Sequence, residues 1–222
     1  MIKIVVFDSG YGGKFFADQL EEELPIAEVI RVIDWRHADK IISSAKEARR
    51  LAKEALRPYI GNVDLIIFAN HLLTATSLKH FQRKYKNQRF IGMKLKIPDP
   101  TIKRDETIIL TTKAVTKTIN YYNYVFRLPR KPHTIAMDTW PIKIDDGELT
   151  EDEIRVALSS DPSINQHANL KEIILACSQF QDLKTTLREI YGRNLKIYDS
   201  FDDTVREACK TLKLRGSIKK LK

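Results

Sequence analysis

Ile2-Lys3-Ile4-Val5-Val6-Phe7-Asp8-Ser9-Gly10-Tyr11-Gly12-Gly13 opens the chain with an apolar, β-branched run that stops at a carboxylate and passes into a glycine-rich turn. Such a run reads as a buried strand, and its polar end as the loop beyond the strand's carboxyl terminus. The same alternation recurs along the chain. Further strands are expected at Val29–Ile33, Asp64–Ala69, Phe90–Met93, Thr107–Thr111, Thr134–Met137, Glu172–Cys177 and Leu195–Tyr198, with segments of helical period between most of them. Strands alternating with helices predict an α/β fold with mainly parallel sheets. In the clearest helix, Ser43 or Ser44 is the expected N-cap. Ala48, Leu51, Ala52, Ala55, Leu56 and Tyr59 form one apolar stripe, and Pro58 and Gly61 help to stop the helix.

Two breaker clusters interrupt this pattern. Lys96-Ile97-Pro98-Asp99-Pro100 opposes both helix and interior strand and reads as a hinge near mid-chain, whereas Leu128–Pro132 reads as an ordinary connection. The expected organisation is a first α/β lobe over residues 1–95, with a C-terminal helix 201–222 packing back on it, and a second lobe over 96–200.

Composition narrows the class. The 222 residues carry 38 Lys plus Arg against 29 Asp plus Glu, a net +9, with 43% apolar residues and 2 cysteines. Such a chain can bury a substantial core, and two cysteines exclude both a disulfide framework and a four-cysteine zinc site. No run reaches the roughly 18–20 apolar residues that would span a bilayer, and no apolar leader follows Met1, so no membrane partner and a cytoplasmic location are expected. The charge excess is local. Residues 79–104 carry nine Lys or Arg against Asp99, a net +8, and residues 210–222 carry six more, which leaves the remainder at −5. The basic stretches therefore read as solvated faces or a frayed end, with contact to a polyanion or a protein as the alternative, and no nucleic-acid-binding motif accompanies them.

Ligands of open α/β sheets bind beyond the carboxyl ends of strands. The polar residues there are Asp8–Gly13, Asp34, Ala69-Asn70-His71 and Cys177-Ser178-Gln179. The glycine loop fits neither a dinucleotide fingerprint nor a Walker A loop, because Phe15 stands where glycine, serine or threonine is needed and Lys14 comes too early. No nucleotide cofactor is expected. The glycines are read instead as permitting positive φ and bringing backbone N–H groups to a small anion such as a carboxylate. Asp138, Asp145, Asp146 and Glu148 lack metal-ligand spacing and read as a solvated loop.

Ile4–Gly13 resembles the opening signature of glutamate racemases, within the wider aspartate/glutamate racemase superfamily. Ile66-Ile67-Phe68-Ala69-Asn70 falls where that family has an apolar strand ending in Ala-Cys-Asn-Thr. Ile173–Phe180 resembles its Leu-Gly-Cys-Thr-His segment, and Tyr198-Asp199-Ser200 its Ile-Asp-Ser. The resemblance implies two α/β lobes with the active site in the cleft between them, and cofactor-independent inversion at the α-carbon of an acidic amino acid. In that chemistry one thiolate removes the α-proton and a second thiol protonates the opposite face. A carboxylate corresponding to Asp8 lies near the first cysteine, and a histidine two residues past the second assists it. Carried onto this chain, the resemblance makes Cys177 and Asp8 catalytic candidates and Ser9, Asn70, Thr111 and Ser178 substrate-binding candidates, with no metal and no cofactor.

The departures are as informative as the matches. Ala69 stands at the first cysteine position, no cysteine occurs between Met1 and Ala176, Gln179 replaces the assisting histidine, and Asp39-Lys40-Ile41 replaces the family's Pro-Tyr-Gly. His71 is a candidate surrogate base or a hydrogen-bonding loop histidine. Matching Thr74-Ala75-Thr76 to the family's Thr-Ala-Thr makes His71–Leu73 an insertion. Asp8 is a site carboxylate or an Asx-turn residue, and Cys177 a reactive or a buried thiol. Cys209 sits at core spacing with Val205, Ala208 and Leu212 on the last helix. Three functions follow: single-thiol chemistry at the carbon alpha to a carboxylate, an inactive homologue acting as a binding or regulatory protein, and a racemase using a non-cysteine base. Expected partners are a small carboxylate or acidic amino acid, with a homodimer as a further candidate.

Overall fold

The computed structural model describes residues 1–37, 45–93, 106–117, 133–160 and 170–214. The chain divides into two compact units, one comprising Met1–Lys94 with Ser200–Lys222 and the other Leu95–Asp199.

The first unit is built on β1 (Ile2–Asp8), β2 (Ala27–Ile33), β3 (Leu65–Phe68) and β4 (Phe90–Gly92). All pair in parallel, in the order β2-β1-β3-β4. Because strand side chains alternate between faces, β1 buries Ile4 and Val6 on one side and Val5 and Phe7 on the other. α1 (Tyr11–Glu23), between β1 and β2, and α2 (Ala45–Leu56), between β2 and β3, take opposite faces, as right-handed crossovers running in opposite directions across the sheet require. Phe16, Ala17 and Leu20 of α1 join Ile4, Val6, Leu65 and Ile67. Ala48, Leu51, Ala52 and Leu56 of α2, together with Phe81 of α3 (His71–Lys84), join Val5, Phe7, Ile66 and Phe68. The apolar stripe read in the sequence is therefore the buried face of α2.

The second unit repeats the plan with β5 (Thr107–Thr111), β6 (His133–Ala136), β7 (Glu172–Leu175) and β8 (Lys196–Tyr198), parallel in the order β6-β5-β7-β8. α4 (Lys113–Thr116) follows β5, and α5 (Trp140–Asp145) and α6 (Glu151–Ser160) follow β6. A 3-10 turn, Ser178–Leu183, leads from β7 into α7 (Lys184–Tyr191). One face buries Ile108, Leu110, Ile173 and Leu175 against Trp140, Ile154, Leu158, Phe180 and Leu187.

All eight expected strands are present, with ends that differ by at most two residues and β5 matching at both. β7 stops at Leu175, so Cys177 is not the last residue of a strand but the half-buried residue that starts the 3-10 turn. The last helix, α8 (Phe201–Leu212), is shorter than the 201–222 expected. Lys213 adopts a left-handed conformation (φ 57°), and Leu214 N donates to Cys209 O, a backbone arrangement that closes a helix. Its inner face, Phe201, Val205, Ala208 and Cys209, packs with α1. Ser43 and Ser44, the Asp39–Ile41 segment and the breaker clusters Lys96–Pro100 and Leu128–Pro132 lie outside the described residues, as do parts of both basic stretches. Among the described residues no helix is long and apolar enough to cross a membrane.

Candidate functional site

Each sheet reverses its direction of growth between its two central strands, and such a reversal opens a crevice at their carboxyl ends. In the first unit those strands are β1 and β3, and in the second β5 and β7. The polar strand ends singled out in the sequence lie at these two places.

In the first unit Asp8 ends β1 with its side chain fully buried. Its Oδ1 accepts from Ser9 N at 2.6 Å and from Asn70 Nδ2 at 2.8 Å. A carboxylate beneath a sheet end needs such donors to offset lost hydration. Asn70 is the N-cap of α3: its Oδ1 accepts from Leu73 N at 3.0 Å, so one amide secures the helix start and the carboxylate together. Ser9 is buried, with its Oγ 3.5 Å from Asn70 Nδ2. Asp34 N donates to Asp8 O at 2.9 Å, which ties the end of β2 to that of β1. Past it, His37 Nδ1 lies 2.8 Å from Asp34 Oδ1, and Trp35 packs on Tyr11 with ring centroids 5.6 Å apart.

The loop glycines act differently from the sequence expectation. Gly10 is extended (φ −151°), Gly12 and Gly13 lie within α1, and the positive-φ glycines among the described residues are Gly61, Gly147 and Gly192. What Gly13 supplies is room. A Cβ there would fall 2.2 Å from Asp8 Cβ and 2.9 Å from Asp8 Oδ2. The close approach of α1 to the Asp8 side chain is what demands glycine, not the backbone angle.

His71 begins α3 but faces the last helix. Its ring is 3% exposed, and Nε2 lies 3.1 Å from Oγ of the buried Ser200, the residue before α8. Burial pushes the imidazole's pKa down to about 3, so at neutral pH it is uncharged. Ser200 was legible in the sequence only as part of the Tyr198-Asp199-Ser200 resemblance, and nothing there paired it with His71.

In the second unit Thr111 ends β5, and its Oγ1 donates to Ala176 O at 3.3 Å. Cys177 and Ser178 follow. Cys177 Sγ donates to Gln179 Oε1 at 3.1 Å, and Ser178 Oγ donates to the same oxygen at 3.2 Å. Partial desolvation holds the Asp145 carboxyl above its ordinary range, with Asp146 and Asp182 adding in the same direction. Asp138, Asp145, Asp146 and Glu148 are all exposed, as expected of a solvated acidic stretch, although Asp145 ends the helix α5 rather than lying in a loop. Nearby, Asp138 accepts from Lys113 N at 2.6 Å.

No protein-family model matches the chain. Curated proteins do. A glutamate racemase of Clostridium perfringens strain SM101 is 24% identical over 222 residues, spanning 97% of this chain and 85% of that protein. One from Pseudomonas syringae pv. tomato is 23% identical over 221 residues, spanning 96% and 79%. The fold agrees: Escherichia coli glutamate racemase, solved with L-glutamate and its activator UDP-MurNAc-Ala, superposes with a TM-score of 0.78 at 16% identity, over 96% of this chain and 83% of that one. The chain is similar in sequence and in fold to glutamate racemases. It is similar also to glutamate racemase of Francisella tularensis with D-glutamate, at TM-score 0.75 and 19% identity, over 100% and 84% of the two chains. Ala69 is fully buried, and its N–H donates to Phe7 O at 2.9 Å. Cys209 is 3% exposed in the first unit's core, where burial pushes its thiol pKa up.

Proposed function

We propose that this chain performs cofactor-independent proton transfer at the carbon alpha to a carboxylate of a small acid, with Cys177 as its single thiol. The observation that carries this reading is the placement of Cys177: half-buried, just past β7 and beside Thr111, at the point where ligands of such sheets bind. A thiol there can hand its proton to one face of a carbanionic centre and, in reverse, take it back as the thiolate. Ser178 and Thr111 supply hydroxyls beside it. In the first unit, Asp8, Ser9 and Asn70 form a separate polar set at the end of β1. Asp8 takes the part of a site carboxylate that Asn70 keeps in place. His71 takes no proton in this scheme, since an imidazole held neutral down to about pH 3 is a weak base. Acidic amino acids are the expected substrate class because the curated relatives carry the name glutamate racemase.

Incubation of the protein with each enantiomer of glutamate and aspartate in deuterated water tests the reading. Uptake of deuterium at Cα with retention of configuration, lost in Cys177→Ala, is the expected result. Full inversion would require a second proton-transferring group and would overturn the single-thiol scheme. No uptake from any of the four would replace it with the second reading, a homologue that retains the fold as a binding or regulatory protein.

A further inference from the structure

The outer surface of α2 and α3 is strongly basic. Residues 45–89 hold ten Lys or Arg against Glu47, Glu54 and Asp64. On the opposite side of the same sheet the balance reverses, since α1 and α8 together carry seven acids against three bases.

The fold gathers these cations. Arg49 Nε donates to Thr76 O at 2.9 Å, which sets that flank of α2 against α3. Lys46 and Lys53, three residues before and four after Arg49, share the flank. The acids of α2 fall on its other flank, where Arg50 pairs with Glu47 at 2.6 Å and with Glu54 at 3.0 Å. Asp64 accepts from Lys3 N at 2.8 Å. Past the ends of the two helices, the buried Gln88 joins the loops that follow them: its Oε1 accepts from Gly61 N at 2.8 Å, and its Nε2 donates to Val63 O at 3.1 Å. The end of α2, with Lys53 and Arg57, is thereby fastened to the end of α3, with Arg83, Lys84, Lys86 and Arg89. Lys53, Arg57, Lys86 and Arg89 are exposed and pair with no acidic side chain among the described residues. Half-buried His80 is held below its ordinary pKa range by desolvation and then by the charges of Arg49, Lys84 and Arg83.

The composition of this surface selects among polyanions. A protein interface needs aromatic or aliphatic anchors and is depleted of lysine, and seating on a membrane adds inserted apolar side chains. Single-stranded nucleic acid needs aromatic rings on which its bases stack. None of the exposed large apolar or aromatic side chains lies within residues 45–89. The backbone of a duplex asks only for cations along its line of phosphates, and such contacts need no sequence-reading motif. We propose that the α2–α3 surface binds double-stranded nucleic acid through its phosphates, without reading sequence. From Lys46 to Arg57, α2 spans about 16 Å, along which a duplex presents roughly ten phosphates. This binding is independent of the chemistry proposed above.

The test is titration of a fluorescein-labelled DNA duplex of about 20 base pairs, followed by fluorescence anisotropy between about 50 and 200 mM salt. The parent is expected to bind two unrelated sequences equally, with micromolar affinity at about 100 mM salt and a log–log salt slope of about −4 or steeper. Lys53→Gln, Arg57→Gln, Lys86→Gln and Arg89→Gln together are expected to weaken binding at least about tenfold and to flatten the slope by about 3–4. The charge-matched control, Arg215→Gln, Lys219→Gln, Lys220→Gln and Lys222→Gln, is expected to bind within about twofold of the parent. If the first variant fails to fold, the pairs Lys53/Arg57 and Lys86/Arg89 are replaced separately, each with about half of the slope change. Equal losses in the surface and control variants would assign binding to net charge, and no saturable binding at about 50 mM salt would remove it; either result overturns the proposal. Displacement of the duplex as readily by poly-glutamate, charge for charge, would overturn it in favour of an acidic protein. Cys177→Ala is expected to bind the duplex as the parent does, so this outcome and that of the deuterium experiment stand or fall separately.

Discussion

His71 Nε2 and Ser200 Oγ lie 3.1 Å apart across 129 residues of sequence, and both groups are buried. The contact joins the first turn of α3 to the start of α8, so it ties the C-terminal helix to the sheet it covers. Because the folded ring titrates near 3, well below the ordinary value of about 6.5, the unfolded chain binds a proton that the folded chain refuses. This contribution to stability is complete above about pH 6.5 and is lost as pH falls from there toward 3. Between pH 7 and pH 5 the loss from this ring amounts to about 2 kcal/mol. His71→Gln, which retains a hydrogen-bonding group toward Ser200 but does not titrate, is expected to lose less stability over that interval. Urea denaturation at the two pH values checks it, and an undiminished loss would assign the acid sensitivity to other groups.

Asn70 holds two structures with one amide, the α3 N-terminus and the Asp8 carboxylate. Asn70→Ala is expected to cost roughly 2–4 kcal/mol, a cap of about 1 and the rest from a buried carboxylate deprived of a donor. Asn70→Ser retains a capping oxygen and is expected to fall between Ala and the parent. Equal costs for the two variants in chemical denaturation would show that the bond to Asp8 dominates.

Gly13 and Gly61 are glycines for opposite reasons. Gly13→Ala places a methyl group 2.2 Å from Asp8 Cβ and should displace that side chain, at a cost of about 1–3 kcal/mol or more. Gly61, at φ +86°, has nothing within 4 Å of a built Cβ, so Gly61→Ala is expected to cost only about 1–2 kcal/mol through the backbone. Activity, once measured, should fall in the first variant and not in the second.

The two thiols should separate cleanly in a labelling experiment. Cys177 is half-buried and Cys209 is buried in the core with its pKa raised. A disulfide reagent is expected to modify one thiol of the native protein, at Cys177, and two after denaturation. Rapid native labelling of Cys209 would mean that α8 opens readily from α1.

The eight strands and the apolar stripe of α2 were legible in the sequence because both depend on local signals: β-branched runs, a side-chain period, and polar residues where a strand must end. So was the list of strand-end residues, Asp8, Asn70, Thr111 and Cys177, since a polar group after an apolar run has no other place to go. Their partners were not legible. Asn70 reaches Asp8 because β3 lies beside β1, and the order of strands in a sheet is set by crossovers that no local pattern encodes. His71 faces Ser200 because α8 returns across a whole intervening unit. The acids of the Asp138–Glu148 stretch read as solvated, and they are exposed. The sequence by itself determined which groups stand at the strand ends. Tertiary structure decided which acceptor each group faces, and so the charge state in which it is held, because desolvation and hydrogen-bond direction act only between groups that the folded chain brings together.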